Sequence, residues 1–173
     1  MQASDLYRAT VPVLTHYLEQ LDRLASRLGS GDLAVDLTDR LTPDTFCAGE
    51  HFIVAQGFSL RAVFPAIGRE VPALTTEAPT FHSISQRNRE ISDYLIGIEP
   101  TDFAHALDRT VSHQAGEARL EQNAVDYVTL FALPNFFFHL TMGYATLRKQ
   151  GVAIGKSDFD GLHDYPTGFR FDD

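Results

Sequence analysis

Apolar residues recur every three to four positions in four long stretches of the chain, and the breaks between them are rich in Gly, Pro and Asp. The first stretch opens on Ser4-Asp5 as a cap. Leu14, Leu18, Leu21, Ala25 and Leu28 then repeat at helical spacing, with Val13, Tyr17 and Leu24 widening the stripe. Gly29-Ser30-Gly31 stops it. After a loop through Leu41-Thr42-Pro43-Asp44, a second helix is expected over residues 45–64, with Cys47, His51, Val54, Ala55, Phe58 and Ala62 on one face. Pro65 and Gly68 end it. Beyond a loop holding Pro72 and Pro79, a third helix is expected over residues 80–97, its inward positions being Phe81, Ile84, Ile91, Tyr94 and Leu95.

Residues 98–125 are the least helical part. Pro100 opens a short turn, and Gly116 sits between two short runs, 109–113 and 118–122, read as a hairpin of poor alternation. A fourth helix follows over residues 124–150, with Arg148 and Lys149 in its last turn, where cations suit the dipole, and Gly151 as its stop. The tail, residues 152–173, either packs over the helices or hangs free. The pattern predicts an all-α, antiparallel four-helix bundle in one domain, 1–173, with an irregular insertion between the third and fourth helices.

The stretch YVTLFALPNFFFHLTMGYATL, residues 127–147, carries no charge and is long enough to span a bilayer. Thr129, Pro134, Asn135, His139, Thr141 and Thr146 load its middle with polar groups, no second such segment accompanies it, and no basic cluster flanks its start. It reads instead as the buried helix of a bundle, with the run Phe136-Phe137-Phe138 as core.

Charge narrows the partners. The net charge is −9 and Lys and Arg nowhere cluster, which argues against nucleic acid and against anionic membrane surfaces. The single cysteine, Cys47, rules out an internal disulfide and suits a reducing cytoplasm. The opening residues MQASDLYRAT lack an apolar leader.

Few residues offer chemistry. Gly155-Lys156-Ser157 lacks the upstream glycine of a phosphate loop and reads as a turn. Cys47 lies one helical turn from His51 near a helix start, an arrangement that can activate a thiol, although free cysteines are more often buried and inert. His51 and His139 fall on apolar helix faces. Such histidines are commonly core residues bonded to a backbone or hydroxyl group, and Thr141, Tyr144 and Tyr127 offer hydroxyls nearby. Pro134 deletes a helical hydrogen bond to Leu130. Asn135 then either bonds freed backbone or faces a ligand beside His139.

The segment LPNFFFHLTMGYATLRKQGVAIGKSDF (133–159), with ATVPVLTHYLEQL (9–21) and LTPDTF (41–46), resembles an uncharacterised family placed in the DinB/YfiT-like superfamily. The resemblance covers most of the chain. It implies a four-helix bundle, commonly a homodimer, and a divalent metal, zinc or nickel, held by one histidine on the second helix and two histidines four residues apart on the last. Better-studied relatives are thiol-dependent isomerases and S-transferases. By that resemblance His51 and His139 are metal ligands, and Asn135 stands where the third histidine would. Asn is a neutral oxygen donor that suits zinc poorly. His16 is a further recruit from the first helix, whereas Glu50 and Asp126 do not share the faces of the histidines. Two readings stay open. One is a small-molecule or metal site between helices two and four, serving a metal-dependent hydrolase or a thiol S-transferase. The other is a metal-free, non-catalytic bundle working through ligand binding or self-association.

Overall fold

A computed structural model of the chain describes residues 2–31, 34–75, 77–166 and 169. Helix α1 spans Ala3–Gly29 and opens with the Gln2 N–H donating to Asp5 Oδ2 at 2.8 Å. Of its expected stripe Leu14, Leu18, Leu21, Leu24 and Ala25 are buried and Val13, Tyr17 and Leu28 half-buried, and Thr10 joins the core by donating its hydroxyl to the Leu6 carbonyl at 2.7 Å. Helix α2 spans Ala48–Val63. It starts three residues later than its spacing suggests because Thr42 and Thr45 close a separate turn, the Thr45 N–H and hydroxyl both donating to the Thr42 carbonyl. Gly68, at φ +75°, ends the turn that follows α2, in a conformation that suits glycine.

Helix α3 spans Phe81–Leu95 and is capped by Thr80, whose hydroxyl accepts from the Ser83 N–H at 3.0 Å. Two 3-10 turns, Pro100–Phe103 and Ala106–Asp108, lead into a hairpin. Its strands β1 (Thr110–Ala115) and β2 (Ala118–Asn123) pair antiparallel, with Ala115 opposite Ala118 and Thr110 opposite Asn123. The hairpin is therefore present, and longer than its weak alternation suggested. β2 is almost wholly exposed, and β1 turns Val111, His113 and Ala115 inward, so few apolar residues mark a period-two pattern.

Residues 124–149 run as one helical rod in three parts: α4 (Ala124–Asp126), a π-helical turn (Tyr127–Ala132) and α5 (Leu133–Lys149). Gly151, at φ +82°, follows the rod. The principal packing is α1 against α3 and α2 against α5, with further contacts of α2 to α3 and to α1. Leu14, Phe52, Ile91, Phe103, Phe136 and Leu147 are almost wholly buried, each contributing roughly 1.5–3 kcal/mol of apolar burial.

One polar network crosses this core. Gln56 Nε2 on α2 donates to the Ile84 carbonyl (2.8 Å) and to Asn88 Oδ1 (2.7 Å), while Asn88 Nδ2 donates to the Leu18 carbonyl on α1 (3.1 Å). The tail packs rather than hangs as far as residue 160. Residues read as a turn at 155–157 begin a short helix, α6 (Lys156–Asp160). Its Phe159 ring lies 5.6 Å from Tyr17 and 5.4 Å from Tyr144, and the Asp160 carbonyl meets His16 Nε2 at 2.6 Å. Tail residues 167, 168 and 170–173 lie outside the described residues. Among the described residues, no helix is long and apolar enough to cross a membrane.

Candidate functional site

The site is built where α2 meets α5, and the local sequence explains how closely they meet. Gly143 faces α2 with no side chain: a Cβ there would lie 2.6–2.9 Å from three atoms of the Phe52 ring. Such contact is inside van der Waals limits, so only glycine admits Phe52 at that position. His139 lies one turn before Gly143, and His51 immediately precedes Phe52. The close approach of the two helices therefore sits beside the two histidines.

His51 and His139 face each other with their Nδ1 atoms 2.9 Å apart. One imidazole donates and the other accepts, so the pair shares a single proton between two ring nitrogens. Their relative exposures are 2% and 9%. His51 Nε2 is also buried, with no hydrogen-bond partner among the described residues. Two of the hydroxyls that the sequence offered are used elsewhere: Tyr127 donates to the Arg61 carbonyl and Tyr144 to the Gly155 carbonyl.

Aromatic rings enclose the pair. Phe58 stacks nearly parallel to His139 at 6.0 Å. Phe46, from the loop before α2, lies 5.7 Å from His51 and 5.9 Å from His139. Phe138 lies 6.3 Å from His51 and 5.1 Å from His139. Of the run expected to be core, Phe136 is buried and Phe137 half-buried, but Phe138 is 55% exposed. Consecutive residues on a helix point about 100° apart, so three in a row cannot share one buried face.

Burial in this apolar setting favours neutral imidazole. It lowers the His139 pKa to about 4, with the nearby charge of His51 adding to the effect. It also lowers that of His51, partly opposed by Glu50. Glu50 itself accepts from the Cys47 N–H at 2.8 Å and lies 3.4 Å from Arg40; the bond from Cys47 holds its carboxyl below the usual range. Cys47 precedes the first residue of α2 and is buried, and burial pushes its thiol up. That is the opposite of an activated nucleophile.

Asn135 does not join the histidines. Its Nδ2 donates at 2.7 Å to the Phe131 carbonyl inside the π-helical turn. The acceptor is Phe131 and not Leu130, because the wider turn reassigns the backbone bonds: the Leu133 N–H reaches five residues back to Val128. His16 is engaged with α6, away from the pair. Among the described residues, no group of three or more His, Cys, Asp or Glu side chains converges as a metal cage. What converges is two neutral imidazoles, the form that binds transition metals. Their 2.9 Å separation is that of a hydrogen bond; two nitrogens on a tetrahedral ion at about 2.1 Å would stand about 3.4 Å apart. The donor set is two imidazoles bonded to each other, and not a closed three-histidine site. Sequence reasoning found both histidines but missed Phe46, Gly143 and the π-helical turn. A lone glycine inside an apolar helix was the available signal for the second of these.

Comparison with known proteins places these features in context. Residues 6–160 match a family described as "Domain of unknown function (DUF1993)". The chain is also similar to the crystal structure of a DinB family member protein from Shewanella denitrificans. The two share 26% identity with a TM-score of 0.77, over 95% of this chain and 96% of that one. No match was found among curated proteins.

Proposed function

The chain belongs to the DUF1993 family of DinB-like proteins, and on that premise we propose that it is a single-domain, antiparallel four-helix bundle that binds a small molecule at His51 and His139. The pairing of α1 with α3 and of α2 with the rod ending in α5 supports the bundle. The observation that carries the site is the buried Nδ1–Nδ1 approach of 2.9 Å, with His51 Nε2 left unpartnered beside it. Neutral, buried imidazoles are costly to keep without a task unless each polar atom is bonded.

The same two residues would hold a divalent metal such as zinc or nickel. A metal there would supply Lewis acidity for hydrolysis or for activating a thiol. The chain's own part is definable without it. His51 and His139 offer a shared proton and one bare ring nitrogen, the Nε2 of the donor ring, Phe58 fixes the plane of His139 by stacking, and Phe46 and Phe138 keep water off both rings.

Elemental mass spectrometry on tag-free protein purified without chelator, followed by zinc, nickel and manganese titrations, tests the metal. Near-stoichiometric metal, lost in His51→Ala and in His139→Ala, supports it. No uptake of any of the three ions removes the metal from the proposal. A second reading is favoured by the direct hydrogen bond itself, which satisfies both Nδ1 atoms with one proton. In that reading the pair is metal-free and the protein works by ligand binding or self-association as a homodimer.

A further inference from the structure

The ligand class follows from what covers the pair, and this inference deepens the small-molecule reading above and rests on it. Among the described residues the exposed phenylalanines are Phe46, Phe138 and Phe169, and two of those three stand directly on the histidines. Phe46 is 49% and Phe138 55% exposed, while the rings beneath them are almost wholly buried. Large apolar side chains left in solvent beside a buried polar pair are the usual mark of a binding mouth.

The mouth has a specific chemistry. Phe46 meets His51 at 79° and Phe138 meets His139 at 89°, both edge-to-face. Phe58, behind His139, also meets Phe131 edge-to-face at 5.7 Å. A further planar ring laid against Phe46 and Phe138 would extend an existing aromatic array, and edge-to-face or offset contacts favour it over a saturated ring of equal size.

The geometry points to a ligand that carries an aryl group, packed against Phe46 and Phe138, with a polar atom close to the ring that reaches the histidine pair. Arylmethanols, aryl thiols and aryl amides share this pattern.

The test compares 2-naphthylmethanol with its decahydro analogue, titrated into metal-free protein and followed by NMR of labelled phenylalanine and histidine rings. The aryl compound is expected to bind about threefold to tenfold more tightly, shifting Phe46, Phe138 and the histidine resonances. Phe46→Leu and Phe138→Leu keep apolar bulk at exposed positions and should fold; each is expected to reduce that preference and the double variant to abolish it. Equal affinity for the two probes, a preference that survives the double variant, or no binding at the solubility limit overturns the inference. Because the probes are read without metal, failure of the metal proposal leaves this result interpretable. A naphthyl preference lost only in the phenylalanine variants, with histidine resonances unmoved, would retain the aryl seat and reject the histidine pair as its polar partner.

Discussion

Gly143 on α5 lies against the ring of Phe52 on α2, so close that a methyl group on the glycine would overlap three ring atoms. The contact is one turn from His139 and one residue from His51, which makes it a spacer for the histidine pair as much as a feature of the core. Gly143→Ala is expected to force Phe52 or the helices apart and to cost about 1–3 kcal/mol. Chemical denaturation reads the cost. The histidine ring ¹⁵N spectrum should show loss of the shared proton, whereas an alanine at exposed Leu130 should leave that spectrum unchanged.

Acid should weaken the fold through the same pair. The folded His139 pKa of about 4 lies below the ordinary 6.5. Above the ordinary value, both folded and unfolded chains hold it neutral. As pH falls from about 6.5 to about 4, the unfolded chain takes up a proton that the folded chain refuses, and stability drops by up to roughly 3 kcal/mol. Urea midpoints measured at about pH 7 and about pH 4.5 should differ more in the native protein than in His139→Gln.

The polar network spanning α1, α2 and α3 predicts a core substitution of unusual cost. Asn88→Ala removes the acceptor of Gln56 Nε2 and the donor to the Leu18 carbonyl. Each buried group left unsatisfied costs about 1–3 kcal/mol. Asn88→Ala should therefore destabilise more than Ser92→Ala, four residues on, where only a hydroxyl bond to the Asn88 carbonyl is lost. Thermal or urea unfolding of the two variants decides it.

Asn135→His gives the metal reading its most direct gain-of-function test. The position lies one turn before His139, so an imidazole there stacks above it on the same helix face. Zinc or nickel affinity is expected to rise about tenfold or more, at the expense of the Asn135 bond to the Phe131 carbonyl. Unchanged affinity by calorimetry would place position 135 outside the site. Asn135→Ala should lose about 1 kcal/mol of stability and leave the histidine pair intact.

The legible parts of the fold were those with strong periodicity. Leu14, Leu18 and Leu21 located α1, and the uncharged stretch around Phe136 located the rod that holds α5. His51 and His139 were legible as candidates because apolar faces make a polar residue conspicuous. That they would bond to each other was not, since hydroxyls at Tyr127 and Tyr144 were equally available by spacing. Phe46 fell in the first turn of the expected second helix, outside its inward face, and the exposure of Phe138 was masked by its two apolar neighbours. The hairpin was faint because β2 is almost wholly solvent-facing and because the inward positions of β1 beyond Val111 are His113 and Ala115, which carry little apolar signal.

The π-helical turn at Tyr127–Ala132 separates the residue count of the rod from the meeting of the two histidines. A π-helical turn takes up one residue more than an α-helical one over the same rotation, so removing one residue there would restore an ordinary helix and leave the residues beyond it on their present faces. His139 would still face His51, whereas removing one residue from the plain helix of α5 ahead of His139 would swing that ring away by about 100°. Within this architecture the turn is the one stretch of the rod where a codon can be gained or lost without breaking the histidine pair.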